Sequence, residues 1–451
     1  MQVVAAYRSR VAFRPSEERG LGEKELIHPD WVRRMNLFGE TTGDPARMVS
    51  LDAGEMLDLA RSSTGLHDLG EDDWPGWEET YRRLLESIDR ESHLHLVGRV
   101  MTRGEVLRIL LTWLRLQAAW TATPAIRQEP IDAPLFVVGP PRTGTTILLE
   151  LLALDPTLRA PLAWEALQPL PLTSDRKVDH ERRRNLSECE QEFWSDVHPE
   201  FATMHELASD LPCECVHFLA YDFAGPHWSM LYDTPTFTGW QLERIEPLLA
   251  RVYRLHRRML QTFQHGSNGQ HGSNGQHGSE RGRWLLKSPG HLQTLAQLFA
   301  EYPDARVIHT HRDPRRFIAS LVSLLAALRF TRSDRVDVAS LGPMMELTYQ
   351  MFLEQVIDQR ESGAIPNDRI VDSHFVDLMA DPVASLRRLY EELELAWPAN
   401  HDHAVRDYLA AKPRDKHGVH RYSFSDVGLD EDSVRATFAR YVDHYGITEE
   451  S

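Results

Sequence analysis

The sequence predicts an α/β protein: a parallel sheet flanked by helices, with an added helical region before it. Three observations carry that expectation. Short apolar runs bounded by turn residues, at Leu135–Val138, Trp284–Leu286, Arg306–Thr310 and Arg369–Asp372, read as buried strands. Helical patterns stand between them, as parallel strand connections require. The segment from Pro134 to Thr146 passes from an apolar run through a tight Gly/Pro loop into a helix, the unit from which such sheets are built.

Residues 1–60 are mixed in character and give no clear pattern. From Trp74 to Trp120 apolar residues recur at helical spacing, and Thr102-Arg-Gly-Glu105 has the form of a capping box before Val106, Ile109 and Leu110. Residues 1–125 are therefore expected to form a helical N-terminal region. It either packs on the domain spanning 130–451 or stands as an independent helical subdomain. Further helices are expected at Thr145–Leu154, Pro212–Asp222, Gln241–Gln264, His291–Tyr302, Pro314–Leu328, Gly342–Arg360, Pro382–Leu393 and Glu431–Tyr445. Leu172–Glu192 is charged and expected at the surface. Residues 264–279 repeat Gln-His-Gly-Ser-Asn-Gly without apolar content, the composition of a flexible solvated loop. A deletion of 265–279 is expected to leave activity intact.

Composition excludes several classes. The chain has 451 residues, 67 acidic against 50 Lys and Arg, for a net charge of −17. An acidic chain is a poor nucleic-acid partner, because phosphate neutralisation needs a basic face. Three cysteines, Cys189, Cys213 and Cys215, cannot form a disulfide framework and suit a reducing cytoplasm. Cys213-Glu214-Cys215 reads as small buried residues on a helix, since a metal centre needs more partners than the local sequence supplies. The N-terminus carries Arg8, Arg10 and Arg14 without the apolar segment of a signal peptide. The apolar stretch Ile318–Leu328 is too short to span a bilayer.

Chemistry concentrates after the strands. Gly139-Pro-Pro-Arg-Thr-Gly-Thr-Thr146 nearly fits the phosphate loop of nucleoside triphosphatases, but Thr145 stands where their lysine belongs. Arg142 is the one cation within it. A loop opening a helix aims N–H groups and a positive dipole end at one small space, so an anion is the expected occupant of this P-loop-like turn. Gly139, Lys287 and Arg312 each follow an expected strand, and ligands of open parallel sheets sit beyond those carboxyl ends. The three therefore converge on one rim.

The loop resembles the 5′-phosphosulfate loop of sulfotransferases that use 3′-phosphoadenosine 5′-phosphosulfate (PAPS). Two further segments agree in order and spacing. Val307-Ile-His-Thr-His-Arg-Asp-Pro-Arg-Arg-Phe-Ile-Ala-Ser320 resembles the family's 3′-phosphate segment, and Trp284-Leu-Leu-Lys-Ser-Pro-Gly-His291 resembles the segment bearing an active-site lysine or histidine. Weaker similarity runs from about Gly65 to Gly446, and the detail is most similar to the bacterial branch of the family. The resemblance implies PAPS as donor and no metal. Thr143, Gly144, Thr145 and Thr146 would hold the 5′-phosphate, with Arg142 in place of a lysine found in other branches. Arg312 and Ser320 would hold the 3′-phosphate, and Lys287 would approach the bridging oxygen.

The base that accepts the acceptor's proton is expected to be Glu165, placed like the catalytic glutamate of tyrosine sulfotransferases, with His291 as its rival. Read alone, Glu165 is a surface glutamate on a Pro-rich loop and Lys287 a strand-end lysine. Arg315 and Arg316 read as solvated helix residues, and His309 and His311 as strand residues without a catalytic role. His205 and Glu206 are expected near the acceptor or in a structural role, and Trp164, Trp228, Tyr232 and Trp240 around an apolar acceptor pocket or in the core. Lys416–Tyr422 resembles the family's mobile segment over the nucleotide. The competing reading, a P-loop kinase or NTPase, requires the absent lysine and a metal-binding carboxylate at a strand end, where Lys287 and Arg312 stand instead.

Overall fold

The computed structural model describes residues 27–204, 206–267, 282–412 and 423–450. Among them five strands form one parallel sheet: β1 (Leu135–Val138), β2 (Leu158–Arg159), β3 (Arg283–Lys287), β4 (Arg306–His311) and β5 (Ile370–His374), in the order β2-β3-β1-β4-β5. Leu135 pairs with Leu285 on one side and Arg306 on the other, so β1 sits at the centre. Every residue of β1 is buried, as is all of β3 and β4 beyond their first residue. That is why these strands read as continuous apolar runs rather than alternating ones.

Four helices precede the sheet: α1 (Asp30–Glu40), α2 (Ala53–Thr64), α3 (Trp77–Glu91) and α4 (Leu96–Ala122). Helices α2, α3 and α4 share a continuous apolar core with Phe136, Leu286 and Val307 of the strands, while Val32 of α1 packs in a separate cluster with Val97, Met101 and Val197. Trp77 and Trp113 stack at 4.6 Å between centroids. Tryptophans of these helices are also tied to the later chain: Trp77 Nε1 donates to the Tyr221 carbonyl at 2.9 Å, and Trp120 Nε1 to Thr262 Oγ1 at 2.9 Å. Thr102–Glu105 proves to lie inside α4 rather than at its start. Thr102 Oγ1 back-bonds to the Gly98 carbonyl and meets the Tyr232 hydroxyl at 3.0 Å. Buried Glu105 takes Arg332 at 3.2 Å. The helix begins seven residues earlier in the chain than that box suggests, with His95 Nδ1 capping the Gly98 N–H at 2.8 Å.

After β1 come α5 (Thr145–Leu152), α6 (Ala163–Leu167) beyond β2, α7 (Arg176–Val197) and α8 (Ile245–Ser267), with short helical turns at Phe201–Met204, Val216–Leu219, Pro226–Leu231 and Pro235–Leu242. The helix expected over Pro212–Asp222 is thus one turn, and the cysteine pair precedes it in irregular backbone. Helix α8 runs past Gln264, which is buried and bonds Pro130 O at 2.9 Å. Residues 264–267 of the expected loop therefore belong to α8, and 268–279 lie outside the described residues. A 3-10 turn, Pro289–Thr294, and α9 (Leu295–Glu301) replace the single helix expected from His291. Then follow α10 (Pro314–Phe330), α11 (Val338–Glu361), α12 (Phe375–Ala380), α13 (Pro382–Glu392), α14 (His401–Ala411), α15 (Glu431–Thr437) and α16 (Ala439–Tyr445), the last two breaking the expected C-terminal helix at Phe438. Among the described residues no helix is long and apolar enough to cross a membrane.

Candidate active site

The loop between β1 and α5 is held open by its backbone. Gly144 caps α5 at φ +89°, and an added Cβ would stand 2.8 Å from Phe375 Cδ2. Gly139 leaves room for Thr310, whose hydroxyl an added Cβ would meet at 2.1 Å. Arg142 itself adopts φ +71°, which throws its side chain outward. Thr143 Oγ1 bonds the Pro140 carbonyl at 2.7 Å and Thr310 Oγ1 at 2.6 Å, latching the loop to β4. No described side chain caps α5, so its first N–H groups face the rim.

The expected residues meet along that rim in two groups. At one end buried Lys287, last residue of β3, donates Nζ to Thr146 Oγ1 at 3.0 Å and to the Glu214 carboxylate. At the other, Arg312 beyond β4 donates to the Arg142 carbonyl at 2.8 Å, and Arg142 Nε donates to Ser320 Oγ at 3.1 Å. The Arg312 guanidinium lies 3.9 Å over the Phe375 ring. It also grips the Glu450 carboxylate at 2.9 and 3.1 Å, while Arg316 donates to the Glu450 carbonyl at 2.7 Å. Arg315 and Arg316 are therefore not simply solvated: Arg315 pairs with Asp313 at 2.7 Å and Glu449 at 2.6 Å.

Glu165 follows β2 on α6, and the bridge between Leu162 and Pro212 holds its segment beside the one carrying Glu214. Its carboxylate accepts from Arg159 at 3.0 Å and from the Leu162 N–H at 3.1 Å. His291 does not occupy the position expected of a rival base. It lies buried against Phe136, its Nδ1 meets the Tyr253 hydroxyl at 2.8 Å, and burial holds its pKa down at about 3. A neutral imidazole sealed in an aromatic core is not placed to take a proton from an acceptor.

Residues 134–399 match the sulfotransferase family along more than half of the chain. The chain belongs to that family. Two relatives of this sulfotransferase, the omega-hydroxy-beta-dihydromenaquinone-9 sulfotransferases Stf3 of Mycobacterium bovis and Mycobacterium tuberculosis, are each 26% identical over 291 residues, 62% of this chain and 67% of theirs. The crystal structure of sulfotransferase STF9 from Mycobacterium avium superposes with a TM-score of 0.74 at 25% identity, covering 88% of this chain and 97% of that one. That of STF1 from Mycobacterium tuberculosis gives a TM-score of 0.69 at 26% identity, covering 86% and 98%.

Other expectations for the sulfotransferase change. Trp228 and Tyr232 are buried core residues, Trp164 packs under Arg183 at 4.5 Å, and Trp240 lies beneath Arg83 and Arg244. Trp228 and Tyr232 stack on each other at 6.1 Å between ring centroids, in the core rather than around a pocket. Glu206 pairs with Lys412 at 2.9 Å. His205 and Lys416–Tyr422 lie outside the described residues. His309 and His311 share one buried face, 4.1 Å apart, with His311 bonded to Asp372 at 2.9 Å. Residues that sequence reasoning missed are Glu214, Phe375 and Glu450. None has a local signal, because each reaches the rim through a contact between distant segments.

Proposed function

We propose that this sulfotransferase takes its sulfuryl group from PAPS and transfers it to the hydroxyl of an apolar acceptor. The observation that carries this reading is the presence of two cationic groups along one rim, Lys287 bonded to Thr146 at 3.0 Å and Arg312 bonded to the Arg142 carbonyl, with Arg142 in turn bonded to Ser320. A donor with phosphates on both sides of its ribose has an anion for each. The N–H groups from Thr143 to Thr146 take the 5′-phosphate at the start of α5. Arg312 and Ser320 take the 3′-phosphate, where the Glu450 carboxylate now occupies the guanidinium. Thr145, in place of the NTPase lysine, leaves a kinase reading without its γ-phosphate ligand.

In the reaction the acceptor oxygen attacks sulfur, the bond from sulfur to the bridging phosphate oxygen breaks, and adenosine 3′,5′-bisphosphate leaves. Lys287 offsets the charge that develops on the bridging oxygen, and Arg142 steadies the loop around it. The acceptor's proton goes to Glu165, which Arg159 orients; Glu214 positions Lys287. The name of Stf3 gives that relative a hydroxylated menaquinone acceptor. A lipid of that kind fits this chain, where Met344, Leu347 and Met351 form an exposed apolar row on α11. The inner face of the same helix carries Tyr349, within electrostatic reach of Glu214. Three free cysteines accord with a cytoplasmic setting.

Calorimetry tests the donor. Adenosine 3′,5′-bisphosphate should bind, ATP with magnesium should not compete, and Arg312→Ala should weaken the bisphosphate at least tenfold. Glu165→Gln should lower kcat about a hundredfold, within the usual range for a general base, and spare nucleotide affinity. Unchanged turnover in Glu165→Gln together with loss in Glu214→Gln would move the base to Glu214.

A further inference from the structure

Behind Lys287, donor atoms from three separate segments meet in the core. Cys215 precedes the turn at Val216, His256 lies on α8, and His291 follows β3. The Cys215 sulfur and one ring nitrogen of each histidine lie within 4.8 Å of one another, and all three residues are buried. Both rings are oriented from outside. His256 Nδ1 meets the Tyr302 hydroxyl at 2.7 Å and His291 Nδ1 meets the Tyr253 hydroxyl at 2.8 Å. With each Nδ1–H donating to its tyrosine oxygen, each Nε2 presents a lone pair. Both Nε2 atoms are buried with no hydrogen-bond partner among the described residues.

Buried polar atoms are nearly always satisfied, and an orphan costs free energy comparable to a lost hydrogen bond. Two orphans beside a thiol, each histidine steered through its other nitrogen, is the arrangement by which proteins orient metal ligands. We propose that Cys215, His256 and His291 form a binding site for a single thiophilic d10 ion, zinc(II) or copper(I). Thiolate and imidazole are the soft and borderline donors that both ions take. The cysteine binds as thiolate, so its proton is released as the ion enters. Copper(I) is then three-coordinate with zero net charge. Zinc(II) needs a fourth, anionic ligand such as hydroxide to reach the same balance.

The site has a consequence for the catalytic rim. The Cys215 N–H donates to the Lys287 carbonyl at 2.8 Å, and the adjacent Glu214 pairs with Lys287 Nζ. An ion held by these ligands fastens the Glu214 segment, the turn after β3 and α8 to one another. This consequence rests on the active-site reading above; the metal site itself does not.

Element analysis of the full chain, expressed with zinc and copper supplied during folding, tests it apart from any activity. About one equivalent of either metal per chain is expected in the wild type and in Cys213→Ser, and a tenfold loss in Cys215→Ser. X-ray absorption of the loaded wild type should show one sulfur and two imidazole nitrogens, with an added oxygen only for zinc, and it decides the matter if Cys215→Ser fails to fold. Less than a tenth of an equivalent of both metals, or a shell of nitrogen and oxygen alone, as histidines of the 264–279 repeat would give, overturns the proposal.

Discussion

Gly144 carries a steric and a backbone constraint together at the anion loop. It combines φ +89° with a neighbouring aromatic carbon at 2.8 Å from any added Cβ. Gly144→Ala therefore meets both a strained backbone and Phe375, whose ring supports Arg312. The expected outcome is a loss of about 1–3 kcal/mol in stability and weaker binding of adenosine 3′,5′-bisphosphate, read by urea titration and calorimetry on the same preparation. Unchanged affinity would mean that the loop does not hold the nucleotide. At this scale the sequence exposes Arg142, Lys287, Arg312 and Ser320 because each stands at a fixed offset from a strand end or a glycine turn. It hides Glu214, which reaches Lys287 only because the bridge between Leu162 and Pro212 brings two remote loops together. His291 misleads for the opposite reason. Its position in the motif is right, but α8 folds over it and seals it among Tyr253, His256 and Phe136.

Whole strands are easier to read than single residues because burial on both faces writes itself as an unbroken apolar run. The central strand, Leu135–Val138, is fully buried and matches its expected bounds. Strand β2 has two residues, Leu158 and Arg159, too few for any run to announce it. The start of helix α4 is hidden in the sequence because Thr102 and Glu105 mimic a cap while serving a buried network with Tyr232 and Arg332. The C-terminal segment after α16 gives an element-level prediction. Glu450 places its carboxylate on Arg312 and its carbonyl on Arg316, competing for the guanidinium assigned to the 3′-phosphate. Glu450→Gln should raise the affinity for adenosine 3′,5′-bisphosphate by about three- to tenfold, the equivalent of a partly exposed ion pair of roughly 0.7–1.4 kcal/mol. Equal affinities would show that the segment leaves without cost. Removal of 268–281, by contrast, should leave kcat unchanged, whereas a deletion that reaches back to Gln264 removes its bonds to Pro130 and Trp284 and should lower the melting temperature.

Across the whole molecule, buried neutral histidines tie distant parts together and make the fold sensitive to acid. His95 caps α4 through Nδ1 and joins it to the 332 region, its N–H donating to the Arg332 carbonyl at 3.1 Å. Burial, with the nearby His28, pulls its pKa down to about 4 despite the opposing pull of Asp334. Protonation would fill the lone pair that caps the helix and place positive charge at the helix's positive end. His309 and His311 lie under the C-terminal helix, His311 stacked on Tyr445 at 4.0 Å, and burial depresses both below the ordinary histidine value. The folded state thus binds fewer protons than the unfolded chain below the ordinary histidine value of about 6.5. Stability from these groups is complete above that pH and is lost as the pH falls toward the folded values. A histidine contributes about 1.4 kcal/mol per pH unit between its unfolded and folded values, against a typical total of about 5–15 kcal/mol. Glu105 extends the loss further down: burial alone would raise it, but His227 and Arg332 hold it at about 2, so its contribution fades from the ordinary carboxylate range toward that value. The urea midpoint should therefore hold above pH 7 and fall steeply from pH 6.5 to 5. His95→Asn, which keeps a cap and removes the titrating ring, should reduce the slope by about 1.4 kcal/mol per pH unit; an unaltered slope would show that His95 is not among the groups that set it.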